Sequence, residues 1–215
     1  MLLSKLFQFV LYTTSKYSID ESHGLSHSMN TLYYADKIFE SELERRPNLI
    51  EQEKIIYVSA VIHDMCDKKY MNETQGLLEV DDFLRKENDM NLQDFEIDTV
   101  KKIVSTMSYS TVKKNGFPNL GEYQSAYHIV READLLTAYD FDRSMIYHMC
   151  VNKADIKDSF KNAEDIFKKR VLMHNRDNLF ITSYSNYESR KLHMKAITRM
   201  DYWKKILMKR LWLIK

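Results

Sequence analysis

Glycine, proline and cysteine are all scarce in this chain of 215 residues, which has four, two and two of them respectively. An architecture of many short strands needs turn residues with unusual backbone angles, so this scarcity excludes it and favours long helices joined by few connections. Cys66 and Cys150 are too few for a disulfide framework, and with no secretory segment ahead of them they imply a reducing, cytoplasmic setting. No charge of one sign predominates either. Thirty-two Lys and Arg against 31 Asp and Glu leave a formal charge of +1, so there is no general field for long nucleic acid or an acidic membrane, and anion recognition must come from a local basic group. Long apolar runs are missing too. The stretch Met1 to Tyr12 is broken by Lys5 and Gln8 and has no small-residue cleavage site, and a membrane span needs roughly 20 apolar residues, so it reads as an amphipathic first helix. The length fits one domain, 1–215, able to bury a core without cross-links.

Helical periodicity is what the chain does have. Leu192, Ala196, Met200, Trp203, Leu207 and Leu211 recur every three or four residues with Lys and Arg between them, an apolar stripe that packs on the core. Ile55, Val58 and Ile62 repeat in the same way, while Ile56, Ala60 and Val61 fill the other faces, so this helix is apolar almost all round and belongs at the centre. Another helix carries Leu32, Ala35 and Phe39 on its buried face, with Ser22 or Asp20 as its cap and His27 about one turn inside. Weaker patterns run from Gln75 to Lys86 and from Phe95 to Met107, joined by the charged stretch Lys86 to Asp94. Ser108 to Glu122, with two glycines and Pro118, reads as the longest functional loop. Tyr123 to Thr137 is a helix, and Tyr139 to Arg176 one or two more. The chain has no internal repeat, low-complexity tract or linker. The fold class is all-α, a single-domain helical bundle.

Against this background His63-Asp64 stands out, because the dyad interrupts the apolar run Val58 to Cys66. An unpaired carboxylate in a core costs several kcal/mol, so a partner is required, and a metal ion would serve. Two other polar residues are set into apolar helices, His27 upstream and Asp134 downstream. Taken singly, such a histidine is ordinarily a hydrogen-bonded core residue and such an aspartate a cap or surface charge. Together they offer two imidazoles and two carboxylates from three helical segments, a nitrogen and oxygen set suited to Mn²⁺, Fe²⁺, Co²⁺, Ni²⁺ or Mg²⁺ and unlike the sulfur-rich sites of structural zinc.

The order His27, His63-Asp64, Asp134 resembles the H…HD…D pattern of the HD superfamily of metal-dependent phosphohydrolases. It is similar to the branch whose sequences run D-x-x-H-x-x-x-H, then HDxxDxK, then EAD or DAD. Here these segments are Asp20 to His27, His63 to Lys69, and Glu132 to Asp134; the likeness extends from Asp20 to about Asp142, a motif-bearing core on which the C-terminal helices pack. Two departures stand out: Asn30-Thr31 where Arg-Val is common, and Glu132-Ala-Asp-Leu-Leu-Thr-Ala138 where DADRLDA is common. The second removes an Arg and an Asp near the pocket, so substrate choice transfers less readily than metal binding.

The resemblance implies an HD-fold helical bundle with one divalent ion held by His27, His63, Asp64 and Asp134. It also implies hydrolysis of a phosphate ester or anhydride, with a nucleotide as the expected substrate. Around the metal, Asp67 would share a helical face with Asp64 and orient or deprotonate the water, or simply end the helix. His23, on the face of His27, would be a general acid or phosphate donor. Lys68 is taken as the phosphate contact and Lys69 as exposed. Lys113 and Lys114 offer a second anion contact, with Ser108 and Ser110 as hydroxyl donors, and Arg131 could reach a phosphate or Glu132. His128, His148, His174 and His193 read as structural, and the tyrosines as packing. Two rivals stay open: a cyclic-nucleotide phosphodiesterase, which would use a second metal, and a non-catalytic HD-fold ligand sensor. Less favoured is an interaction protein using the basic run Lys204 to Lys215. A homo-oligomer is not excluded.

Overall fold

The computed structural model describes residues 2–86 and 91–209. Among the described residues every regular element is helical: α1 (Leu2–Tyr17), α2 (Leu25–Leu43), α3 (Glu53–Ile62), α4 (Glu73–Lys86), α5 (Asp94–Thr106), α6 (Tyr109–Asn115), α7 (Gln124–Thr137), α8 (Phe141–Val151), α9 (Ile156–Lys169) and α10 (Ser183–Met208). The fold class expected from the scarcity of glycine and proline is the one observed. The chain divides into two units, Met1–Thr137 and Ala138–Lys215.

In the first unit α3 is the central element. Ile55, Ile56, Val58, Ser59, Ala60, Val61 and Ile62 are all buried, and the helix packs against α1, α2, α5 and α7. Each buried Ile or Val contributes roughly 1.5–3 kcal/mol, so a helix buried on every face is firmly placed, and whatever sits at its end is placed with it. Helix α1 is amphipathic as its sequence implies, burying Leu6, Phe9 and Val10, and Phe9 stacks on Phe83 of α4 with ring centroids 4.1 Å apart. The helix bearing His27 starts one residue after Gly24, its cap. Asp20 instead caps the preceding 3-10 turn Glu21–His23, accepting from the Ser22 amide at 2.9 Å. His27 thus lies in the first turn of α2.

The segment Ser108 to Glu122 is not a continuous loop, because α6 occupies half of it. The Ser108 hydroxyl caps α6 by accepting from the Thr111 amide at 3.2 Å, and Gly116 ends it at φ +74°, a left-handed conformation that favours glycine. Helix α5 opens on a reciprocal cap between Gln93 and Glu96; residues 87–90 of the preceding charged stretch lie outside the described residues.

In the second unit Phe141 packs against Phe160 and Phe167, at centroid distances of 5.6 and 5.0 Å, which joins α8 to α9. Asp142 joins α8 to α10, accepting from Arg199 Nε at 2.9 and 3.0 Å and from the Trp203 indole at 2.7 Å. On α10 Ala196 and Met200 are buried, while Leu192, Trp203 and Leu207 are half-buried. Leu211 and the end of the basic run, residues 210–215, lie outside the described residues.

Gly76 of α4 lies against the turn that follows α3. A Cβ there would come within 2.8 Å of Cys66 Cα and of Met71 Sδ, whereas one on Gly24 meets nothing nearer than 3.5 Å. Gly76→Ala is expected to lower stability by about 1–3 kcal/mol in urea titrations, the usual cost of overpacking, with Gly24→Ala as the milder control; equal midpoints for Gly76→Ala and the parent would contradict this packing.

Candidate metal centre

The rigid core brings four side chains from three helices to one point. His63 is the C-terminal cap of α3 and Asp64 opens the turn that follows. His27 comes from the first turn of α2, and Asp134 from the last turn of α7. His27 Nε2 stands 3.0 Å from His63 Nε2 and 3.1 Å from Asp64 Oδ2. His63 Nε2 is 3.2 Å from Asp64 Oδ2, and Asp134 Oδ1 is 3.5 and 3.7 Å from the two imidazole nitrogens. Both imidazoles are buried, while the Asp134 side chain keeps 24% of its exposure, so the cage opens to solvent on that side.

The orientation of His63 follows from its backbone contact. Its Nδ1 lies 2.9 Å from the Ala60 carbonyl, which can only accept, so Nδ1 carries the proton that bonds it and Nε2 faces the cage. Asp64 Oδ2 is fully buried and has no well-directed hydrogen-bond donor, despite its closeness to both imidazoles. The cage therefore calls for positive charge. Burial alone would depress the His63 pKa, but the Asp64 charge and the bond to Asp134 outweigh it and push it up to about 10. Burial likewise opposes ionisation of the carboxylates, yet the His63 charge holds Asp64 well below the usual carboxylate range, and the bond to His63 does the same for Asp134. His27, His63 and Asp64 have ligand atoms mutually close enough to hold a metal ion, and Asp134 Oδ1 adjoins them. The donor set fits a divalent ion that accepts nitrogen and oxygen ligands.

The neighbours differ from expectation in several respects. Helix α3 stops at Ile62, so Asp64 and Asp67 do not share a helical face; Asp67 lies on the following turn, where its Oδ1 accepts from the Lys69 amide at 2.9 Å and its Oδ2 pairs with Lys69 Nζ at 3.0 Å. Lys68 points into solvent. Lys69 is exposed, as expected, and its Nζ lies 3.3 Å from His23 Nε2. The spacing HDxxDxK counted from His63 ends on Lys69, a signal present in the sequence. His23 sits in the 3-10 turn and meets His27 edge-on, with centroids 6.0 Å apart. Lys113 and Lys114 lie exposed on the last turn of α6, and Lys113 Nζ is 3.1 Å from Tyr109 Oη of the same helix. Arg131 is withdrawn into the core, only 1% exposed, with Nη2 3.0 Å from Glu132 Oε1 and its guanidinium stacked 4.8 Å from the Phe117 ring centre. Tyr70, not expected to have a role, and Asp20, expected as a helix cap, join His23 in a hydrogen-bonded cluster.

No family model matches the chain, and no curated protein does. Among solved structures, the crystal structure of Bacillus subtilis YpgQ in complex with ADP matches with a TM-score of 0.63 at 17% identity, covering 94% of this chain and 98% of that one. The likeness is one of fold.

Two measurements test the site. One divalent ion per chain is expected by elemental analysis of protein equilibrated with Mn²⁺. At 100 times the dissociation constant the ion should stabilise the fold by about 2.7 kcal/mol, and His63→Ala should abolish both effects; a metal-independent melting temperature in the parent would remove the site. Separately, burial, reinforced by the Arg131 and Arg46 charges, depresses the His128 pKa to about 4. The unfolded chain therefore takes up a proton near pH 6.5 that the folded chain refuses. Stability from this group is intact above pH 6.5 and falls as the pH drops toward 4. His128→Gln should flatten that fall by about 1–2 kcal/mol in denaturant midpoints compared at pH 7 and 4.5.

Proposed function

We propose that this chain is a metal-dependent phosphohydrolase of the HD type, cleaving a phosphate ester or anhydride of a small molecule, with a nucleotide as the substrate class. The observation that carries this reading is the convergence of His27, His63, Asp64 and Asp134 from three helices onto one partly open point. The ADP in the solved structure of similar fold supports the nucleotide assignment. His27, His63, Asp64 and Asp134 would hold one divalent ion. When bound, that ion supplies Lewis-acid activation of water and neutralises charge on the phosphate.

The chain's own residues do the rest. Asp67, three residues after Asp64, is assigned the orienting of the attacking water through its carboxylate. Lys69, held between Asp67 and His23, provides the ammonium that meets the phosphate oxygens as negative charge builds on them. Lys113, Lys114 and Lys68, all exposed, are assigned to an entering polyphosphate, whereas Arg131 keeps α7 in register through Glu132 and Phe117. A two-metal phosphodiesterase is less well supported, because among the described residues one group of clustered metal ligands is found.

The test is a panel of nucleotides and sugar phosphates incubated with metal-loaded protein, following phosphate, pyrophosphate and triphosphate separately. Turnover of at least one nucleotide is expected, with Asp64→Asn lowering kcat/KM at least 100-fold while helical circular dichroism is retained. Metal-loaded protein that binds nucleotides but turns none over would make it a ligand sensor, and an active Asp64→Asn variant would move the chemistry elsewhere.

A further inference from the structure

Beside the cage, the 3-10 turn Glu21–His23 and the turn following α3 share a second polar cluster. Its anchor is Asp20, whose Oδ1 accepts from the Ser22 amide at 2.9 Å and whose Oδ2 accepts from Tyr70 Oη at 2.6 Å. The Ser22 hydroxyl bonds the same carboxylate, and although burial opposes it, these bonds hold Asp20 below the usual carboxylate range. A carboxylate has no proton to offer, so both hydroxyls must donate to it. Their oxygens then present only lone pairs to His23 Nδ1, which lies 2.7 Å from Ser22 Oγ and 2.9 Å from Tyr70 Oη. On the opposite edge of the ring Lys69 Nζ stands 3.3 Å from Nε2. An ammonium has donors and no acceptor, so Nε2 must accept. Both edges require the same state: a neutral imidazole with its proton on Nδ1 and a lone pair on Nε2.

We infer that Tyr70, together with Asp20, is a positioning residue that fixes the Nδ1–H tautomer of His23, so that His23 Nε2 and Asp67 Oδ2 jointly hold the Lys69 ammonium beside the metal cage. The phosphate-contacting role of Lys69 in this inference rests on the phosphohydrolase reading; the tautomer does not. The arrangement also removes His23 Nε2 from the role of general acid, because that nitrogen has no proton to give. Without the Tyr70 hydroxyl the Asp20 charge acts on the ring through Ser22 alone, Nδ1–H loses one of its two acceptors, and Nε2–H, which repels the ammonium, becomes more populated.

The test begins with long-range ¹H–¹⁵N correlation spectra of the ¹⁵N-labelled full chain, with His23→Gln used to assign the signals. The parent should show a protonated Nδ1 and a bare Nε2 at His23, and Tyr70→Phe should shift the pattern toward Nε2–H. An Nε2–H ring in the parent, or an unchanged pattern in Tyr70→Phe, overturns the inference. A second arm measures affinity for inorganic phosphate and, with the substrate found in the nucleotide panel, kcat/KM. Tyr70→Phe should weaken each about tenfold, with no further loss in a Lys69→Met background; equal losses in both backgrounds would sever the link to Lys69. A parent inert to every phosphate compound, yet showing these spectra and a Lys69-dependent loss of phosphate affinity, would refute the hydrolase reading and keep the positioning role.

Discussion

Two imidazole nitrogens and two carboxylate oxygens that crowd one buried point repel one another unless a positive charge joins them, and most of the first unit serves to impose that crowding. Interiors screen charge poorly, so the repulsion is large. It is borne by α3, whose apolar surface on every face leaves it no alternative placement. Helices α2 and α7 pack directly on α3, and each delivers one further side chain of the cluster, His27 and Asp134, from the turn nearest the dyad. The cage is thus maintained by hydrophobic burial elsewhere, and its unfavourable electrostatics become a specific demand for a cation.

The rim follows a different logic. With a formal charge near zero, the chain does not steer anions from a distance, so recognition depends on where individual cations are held. Arg131, the strongest bidentate donor near the site in sequence, is committed to Glu132 within α7. Lys69 is held instead by a carboxylate and a ring nitrogen. Under the proposed phosphohydrolase function, a point-charge ammonium would accommodate phosphate groups of varied geometry better than a rigid guanidinium fork.

Much of this was legible in the sequence because the signals were periodic or costly. The all-round apolar pattern of 55–62 identified the central helix, and the polar residues placed against it identified the cage, since burying them without a partner would be prohibitive. What escaped was governed by termination and turn geometry. Nothing in the periodicity announces that α3 ends at Ile62, so the helical register carried past that point put Asp67 on the face of Asp64, which it does not share. Nor does glycine content reveal that Ser108 caps a helix inside an apparent loop. Tyr70 was invisible for another reason: its partners Asp20 and His23 are distant in sequence, and only the closure of α2 against α3 brings them together.

One consequence of His63 being a helix cap remains. Its Nδ1–H closes the Ala60 carbonyl, one of the acceptors that the end of any helix leaves without an intrahelical donor. A single ring thus terminates the ladder of α3 on one side and faces the cage on the other. Unwinding the last rung of that ladder would swing the inner nitrogen away, while anything drawn to that nitrogen would tighten the rung. Ligand capture and local helix order are two readings of one equilibrium at this position, and a substitute side chain must satisfy both at once to be tolerated.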